Sequence, residues 1–346
     1  MHATARRMHP AVQAKPRSWL LQSYQSRPQR HVKVLTAPSN QTALQLKDIL
    51  SIDSILSNQD DPQAESKVVA RVEELKSGGL LRCFGSGQQV PKRIYTIEEL
   101  RLNNIDATTL LSPKDTTLGF VRQAGQVAVG AGLLAMYALE QDGGHVLASL
   151  FSIIFALMLD QVANGGGGEA LLVDTLGRLN PGYARRVAYH EAGHFLIAYL
   201  VGVLPRAYTL SSLDAFTRYR ALNIQAGTQF CDGAFQKEVQ SGRLSASSLG
   251  KYTCIALAGV VTEALRFGQA EGGVGDVAQL DAMLRALGFT QKKADGEIRW
   301  AVLNVAAILR RHEKLHDKLA DGMSAGKPVG ELVMLIEQEL AGCDDI

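Results

Sequence analysis

Acidic residues are missing from the first 47 positions, which carry eight Lys or Arg before the first acid, Asp48. Ser, Gln, Ala and Pro fill the rest, and the continuous apolar core of a secretory signal is absent. That composition is expected of an organelle transit peptide over residues 1–40, with removal between Arg30 and Asn40. The expected destination is a chloroplast, with a mitochondrion as the alternative; a disordered basic arm is the other reading. Cysteine is also scarce: Cys83, Cys231, Cys254 and Cys343 are scattered, with no Cys-x-x-Cys pair. This excludes a disulfide-stapled scaffold and suits a reducing compartment, where such residues serve packing. Net charge is only +2, and no basic stripe carries interleaved aromatics, so nucleic acid is not an expected partner. No Gly-x-x-x-x-Gly-Lys-Ser/Thr phosphate loop occurs.

Charge is missing again further on. Gln123–Leu139 contains no charged residue, and Gly143–Leu159 none apart from His145. Glu140-Gln141-Asp142 separates the two runs. Each falls just short of the roughly 18–20 apolar residues that cross a bilayer. Residues 119–163 therefore read as an apolar helical hairpin, either a membrane anchor or two buried helices of a soluble core. Before it, residues 41–118 read as a small helical region. Asp61-Pro62 is expected to open a helix that Ser77-Gly78-Gly79 stops near Lys76, and Thr96 with Glu99 to form a capping box. After the hairpin, the glycines from Gly165 to Gly168 read as a flexible linker over 164–180. The remainder, 181–346, is expected to be mainly α (α+β). Helices are expected near 181–201, 245–267, 276–287, 295–318 (capped by Asp295) and 328–340, with short strands near 207–210 and 227–231.

What is present in that last region is a His-Glu-x-x-His pattern, and it occurs twice. His190-Glu191-Ala192-Gly193-His194 leads into an apolar run through Val201. Histidines at i and i+4 share a helix face and can grip one cation, while Glu191 is placed to take a proton from water. His312-Glu313-Lys314-Leu315-His316 has the same spacing but is crowded by Arg310, Arg311, Lys314, Asp317 and Lys318. So polar a stretch is expected on a solvated helix face, and packed cations would repel a metal ion. The first copy is the candidate metal site; the second is read as a coincidence.

A catalytic zinc usually has three protein ligands and an open fourth position. No third histidine follows at metzincin spacing, and spacing alone leaves Asp214, Asp232, Glu263, Glu271 and Asp276 all eligible. The stripe Ile255, Leu257, Ala258, Val261 and Leu265 reads as core. Three segments, in order, resemble the peptidase domain of the FtsH-type membrane-bound zinc proteases. These are Val187 to His194; Ala256-Leu257-Ala258-Gly259-Val260-Val261-Thr262-Glu263 with Phe267-Gly268; and Gly272-Gly273-Val274-Gly275-Asp276-Val277. The resemblance covers about residues 180–340. It implies a helical peptidase fold, Zn2+ held by His190, His194 and Asp276, and Glu191 as general base. Glu263 is a candidate to orient a ligand imidazole, or else a partly exposed helix residue; Asp276 could otherwise be a plain N-cap.

The chain departs from that family in several places. The peptidase part stands without the family's AAA ATPase module, the paired glutamates become Glu263-Ala264, and Val260 replaces an arginine. The stretch from Arg206 to Gln229, where the family shapes its substrate cleft, differs most. The expected activity is a zinc metalloendopeptidase acting on unfolded or delivered protein substrates. An FtsH-type or other AAA ATPase, or further copies of the chain, are the expected partners. The alternative is a proteolytically inactive structural or regulatory subunit of a protease or ATPase complex.

Overall fold

The computed structural model describes residues 40–346 apart from 59, 60, 62, 140, 141, 223–225 and 344. The expected transit peptide and Pro62 lie outside the described residues. Helices α1 (Asn40–Leu56), α2 (Ala64–Ser77), α3 (Ile97–Leu102) and α4 (Ala107–Leu110) precede the long pair α5 (Thr116–Ala138) and α6 (Gly143–Asn164). Then come α7 (Gly167–Gly177), α8 (Pro181–Val201), β1 (Pro205–Thr209), α9 (Ser212–Tyr219), β2 (Gly227–Phe230) and α10 (Gly233–Gln240). The chain continues through α11 (Ala246–Phe267), α12 (Val274–Ala286), α13 (Gln291–Arg311), α14 (Glu313–Ser324) and α15 (Val329–Glu339). The fold is mainly helical, as expected.

Helix α8 is the axle. Asn180 caps its start by accepting from the Gly182 amide at 2.9 Å, Pro181 occupies the first turn, and Gly202 ends it with φ +82°. Every residue from Ala188 to Val201 is buried. A helix enclosed on all sides must be covered by several elements. Here α11, α13, α14 and the antiparallel β1–β2 ribbon supply that cover. The register pairs Tyr208 with Thr228 and Thr209 with Gly227, which brings β2 alongside α8.

The 41–118 region shares this core: Ile52, Val68, Leu75, Leu81 and Leu100 belong to the same buried cluster as Phe195 and Leu257. One joint is polar. Glu337 on α15 accepts from the Arg82 and Cys83 amides at 3.0 and 2.9 Å and from the Tyr199 hydroxyl at 2.6 Å. It thereby ties the N-terminal region to α8 and α15.

The Thr96–Glu99 capping box forms as expected. Other boundaries move. Gln63 is the N-cap of α2, while the Asp61 carboxylate accepts from the Gln63 amide one step earlier. Thr290, not Asp295, precedes α13; Asp295 lies inside the helix, bonded to Gln291. The flexible linker over 164–180 is corrected most. Gly165 and Gly166 form a tight turn with φ of +61° and +82°, and a helix follows at once. The Asp160 carboxylate stabilises that turn by accepting from the Gly168 and Glu169 amides, both at 2.9 Å. Helix α7 packs on α5, α6 and α9.

Helices α5 and α6 form the hairpin, started by Asp115 and Asp142 caps, and neither buries a single residue. Phe120, Leu134, Phe151 and Phe155 are each about 70% exposed (72, 71, 68 and 68%). The soluble-core reading of these helices is thus not what the fold shows.

Replacing Glu337 by Ala leaves the buried Tyr199 hydroxyl and two amides short of an acceptor. We expect a loss of about 2–4 kcal/mol in unfolding free energy. A denaturant titration indistinguishable from wild type would refute this role.

Candidate metal centre

His190 and His194 project from the buried face of α8 toward α11 and the start of α12. The His194 Nδ1 lies 2.7 Å from the Ile255 carbonyl oxygen. A carbonyl can only accept, so Nδ1 carries the hydrogen and a neutral ring keeps its lone pair on Nε2. His190 Nδ1 meets the Glu263 carboxylate at 2.7 Å, which selects the same tautomer. The two Nε2 atoms lie 3.1 Å apart. Facing lone pairs at that distance repel unless a cation or proton lies between them. Asp276 Oδ2 completes the triangle, 3.2 Å from His190 Nε2 and 3.4 Å from His194 Nε2. The donor atoms of the three residues lie within 4.8 Å of one another and could hold one metal ion.

Local structure explains each placement. Asp276 lies in the first turn of α12, whose N-cap is Gly273, so it is free of capping duty and sits where a helix favours negative charge. Gly259 faces His190 so closely that a Cβ there would overlap the imidazole; this is why a glycine stands in the middle of α11. Glu263 is almost wholly buried, its side chain 2% exposed, which removes the alternative of a partly exposed residue. Glu191, also buried, is not one of the three donors. Its Oε2 accepts from the Thr228 hydroxyl on β2 at 2.7 Å. His190, Glu191, His194 and Asp276 line a cleft of about 1750 Å³ that Phe230 and Tyr252 also border.

The electrostatics are those of a site built for positive charge. Burial works against a charged His190, but Asp276 and Glu263, with Glu191 nearby, outweigh it and raise its pKa well above the ordinary value. Burial likewise pushes the Asp276 and Glu263 carboxyls upward, and the imidazoles more than reverse this, so both acids are held below their ordinary range. Asp214, Asp232 and Glu271 are not in the donor cluster. Sequence reasoning missed Thr228, Arg186, Glu271 as a neighbour of Glu263, and the Ile255 carbonyl. None of these carries a local signal; the close approach of α11 to His190 is marked only by Gly259, a glycine inside a helix.

The second motif requires a correction. His312 and His316 are buried, not solvated, because the spacing His312, Leu315, His316, Leu319, Met323 forms the inner face of α14. The charged neighbours point outward: Glu313 and Asp317 both pair with Arg266. His312 falls at the break between α13 and α14, and His316 Nε2 donates to the Tyr189 carbonyl at 2.9 Å. Among the described residues no metal cluster forms there. Compared with models of protein families, with curated proteins and with solved structures, the chain matches none.

His316 has a lowered pKa, from 6.5 to about 4: burial disfavours its charged form, the Tyr189 carbonyl opposes in part, and Arg266 repels. The unfolded chain therefore takes up this proton first. The associated stability is complete above about pH 6.5 and is lost as pH falls to about 4, by about 3 kcal/mol. His316→Gln keeps a donor for Tyr189 but cannot titrate, so its stability should decline less across that window. Parallel acid-stability curves for the two proteins would contradict the assignment.

Proposed function

We propose that this chain is a zinc-dependent metalloendopeptidase of FtsH-like type, acting on flexible or unfolded protein segments. The observation that carries the reading is the convergence of three donors on one point beside a carboxylate that is not among them. Donor separations of 3.1, 3.2 and 3.4 Å support zinc. Tetrahedral bonds of about 2.0–2.1 Å place neighbouring ligand atoms roughly 3.3 Å apart. Histidine nitrogens with one carboxylate oxygen are also a donor set that zinc accepts. The ordered motifs from Val187 to Val277 add their resemblance to the FtsH-type peptidases.

His190, His194 and Asp276 would hold the ion, which supplies Lewis acidity toward a carbonyl and toward water. Glu191 then takes a proton from the attacking water as the C–O bond forms. It passes that proton to the departing nitrogen as the C–N bond breaks, giving a carboxylic acid and an amine. The Thr228 hydroxyl keeps the Glu191 carboxylate aimed into the cleft. Because β2 carries Thr228 and borders the same cleft, the departure of residues 206–229 from the family bears on which segments enter.

We assign α6, the one described helix long and apolar enough to span, to a bilayer, with α5 as the less apolar arm beside it. The helices have 23 and 22 residues, about 33–35 Å at 1.5 Å per residue, against a hydrocarbon core of about 30 Å. Gly143–Asn164 reaches a mean hydropathy of 2.0 over a span-length window and none of that window is buried. The proposed setting is a chloroplast membrane, or a mitochondrial one, reached through the basic N-terminal segment. Unfolded substrates would be delivered by a separate AAA ATPase or present themselves as free ends.

Zinc content and casein cleavage, measured on wild type and Glu191→Gln, test the chemistry. We expect about one zinc in each and cleavage by the wild type alone, with activity reduced at least 100-fold in the variant. Zinc in both without cleavage by either would replace the protease reading with that of a metal-stabilised partner subunit. For the hairpin, alkaline carbonate treatment of membranes containing the chain should leave it in the pellet. Release into the supernatant would remove the membrane assignment.

A further inference from the structure

The metal ligand His190 is wired to the root of the hairpin. Glu263 divides its two oxygens: Oε1 accepts from His190, while Oε2 accepts from Arg186 at 3.0 Å and from the Glu271 amide at 2.8 Å. Arg186 lies one helical turn before His190 on α8, so both reach the same carboxylate. The same guanidinium donates to the Gln269 carbonyl at 2.8 Å and pairs with Glu271 at 3.4 Å. Glu271 in turn accepts from the Thr117 hydroxyl at 2.6 Å and from its amide at 3.3 Å. Thr117 is in the first turn of α5, and the amide of Lys114, just before that helix, donates to the Ala270 carbonyl at 3.1 Å. The segment 269–272 is thus gripped on one side by the metal site and on the other by the start of the hairpin. The cleft itself is bordered by Asp115, Leu118 and Arg122 at that root.

Charge explains why the chain of contacts matters. Glu263 and Glu271 share one guanidinium, and their side chains, with that of Arg186, are 2, 15 and 18% exposed. Thr117 satisfies one oxygen of Glu271. Without its hydroxyl, Glu271 would draw Arg186 away from Glu263, and Glu263 would hold His190 less firmly. A carboxylate that orients a ligand imidazole is worth about 10–100-fold in metal affinity, so a partner one step removed should carry part of that.

From these contacts we infer that Arg186 and Glu271 are positioning residues that couple seating of the α5–α6 hairpin to metal retention at His190. The inference rests on the metal reading above. Coupling of this kind is reciprocal: a seated hairpin tightens metal binding, and bound metal steadies the hairpin root.

The test uses the full chain in detergent micelles, with zinc affinity measured by competition against a chromophoric chelator. Thr117→Val should weaken zinc binding by about 3- to 10-fold with an unchanged melting temperature of the metal-free form. Thr117→Ser should restore wild-type affinity by returning the hydroxyl. Arg122→Gln removes a solvent-exposed pair of α5, the 2.6 Å contact with Glu169, which lies off the Thr117–Glu271–Arg186 path and contributes little to seating, so affinity should be unchanged. Zinc should also slow proteolytic cutting at residues 111–118 in the wild type more than in Thr117→Val. Equal zinc affinity in wild type and Thr117→Val overturns the coupling while leaving the metal site intact. A wild type that takes up no zinc removes the metal reading and this inference together.

Discussion

His190, Glu191 and His194 sit in the fully buried stretch of α8 from Ala188 to Val201, and buried polar groups must be satisfied or neutralised. Three elements meet that demand. Helix α11 offers the Ile255 carbonyl and the Glu263 carboxylate, α12 offers Asp276, and β2 offers the Thr228 hydroxyl. None could do so at another distance, because hydrogen bonds lose their value within a few tenths of an ångström. The close approach of α11 at Gly259, the glycines before Asp276 and the short ribbon beside α8 follow from that single requirement.

The requirement also gives the centre its chemistry. Partners on the Nδ1 side of each ring leave both Nε2 lone pairs facing inward, next to a carboxylate. Such a set is repulsive by itself and is relieved by a cation. The raised pKa of His190 and the lowered ones of Glu263 and Asp276 express the same fact in protons. Glu191 accepts from Thr228 and is not among the three donors, which leaves a carboxylate beside the point on which they converge.

Outside this core the constraint reverses. Helices α5 and α6 bury nothing, yet α6 is rich in large apolar side chains and α5 exposes Phe120, Leu134 and Tyr137. They emerge beside the cleft, and the Thr117–Glu271–Arg186 contacts join their root to the candidate metal centre. The enclosed centre and the exposed hairpin are therefore neighbours in one polar network, although Thr117 and Glu271 are 154 residues apart in the chain.

By itself the sequence determined the main helices and marked two of the three candidate donors, His190 and His194. Periodicity, caps and glycines marked α8, α11, α12 and α15 within a few residues, because those signals act locally along the chain. The i, i+4 histidines were legible for the same reason. The assignment of Asp276 needed a resemblance, since spacing alone left five acids open. Tertiary structure decided the rest. It turned Gly165-Gly166 from a linker into a turn with a helix behind it, through the Asp160 carboxylate, which accepts from the Gly168 amide eight residues on. It buried His312 and His316, since the face a helix presents depends on what packs against it, and charged neighbours can point away. It also supplied the Ile255 carbonyl, Thr228 and Arg186. No local pattern could announce these, because their roles exist only where distant segments meet.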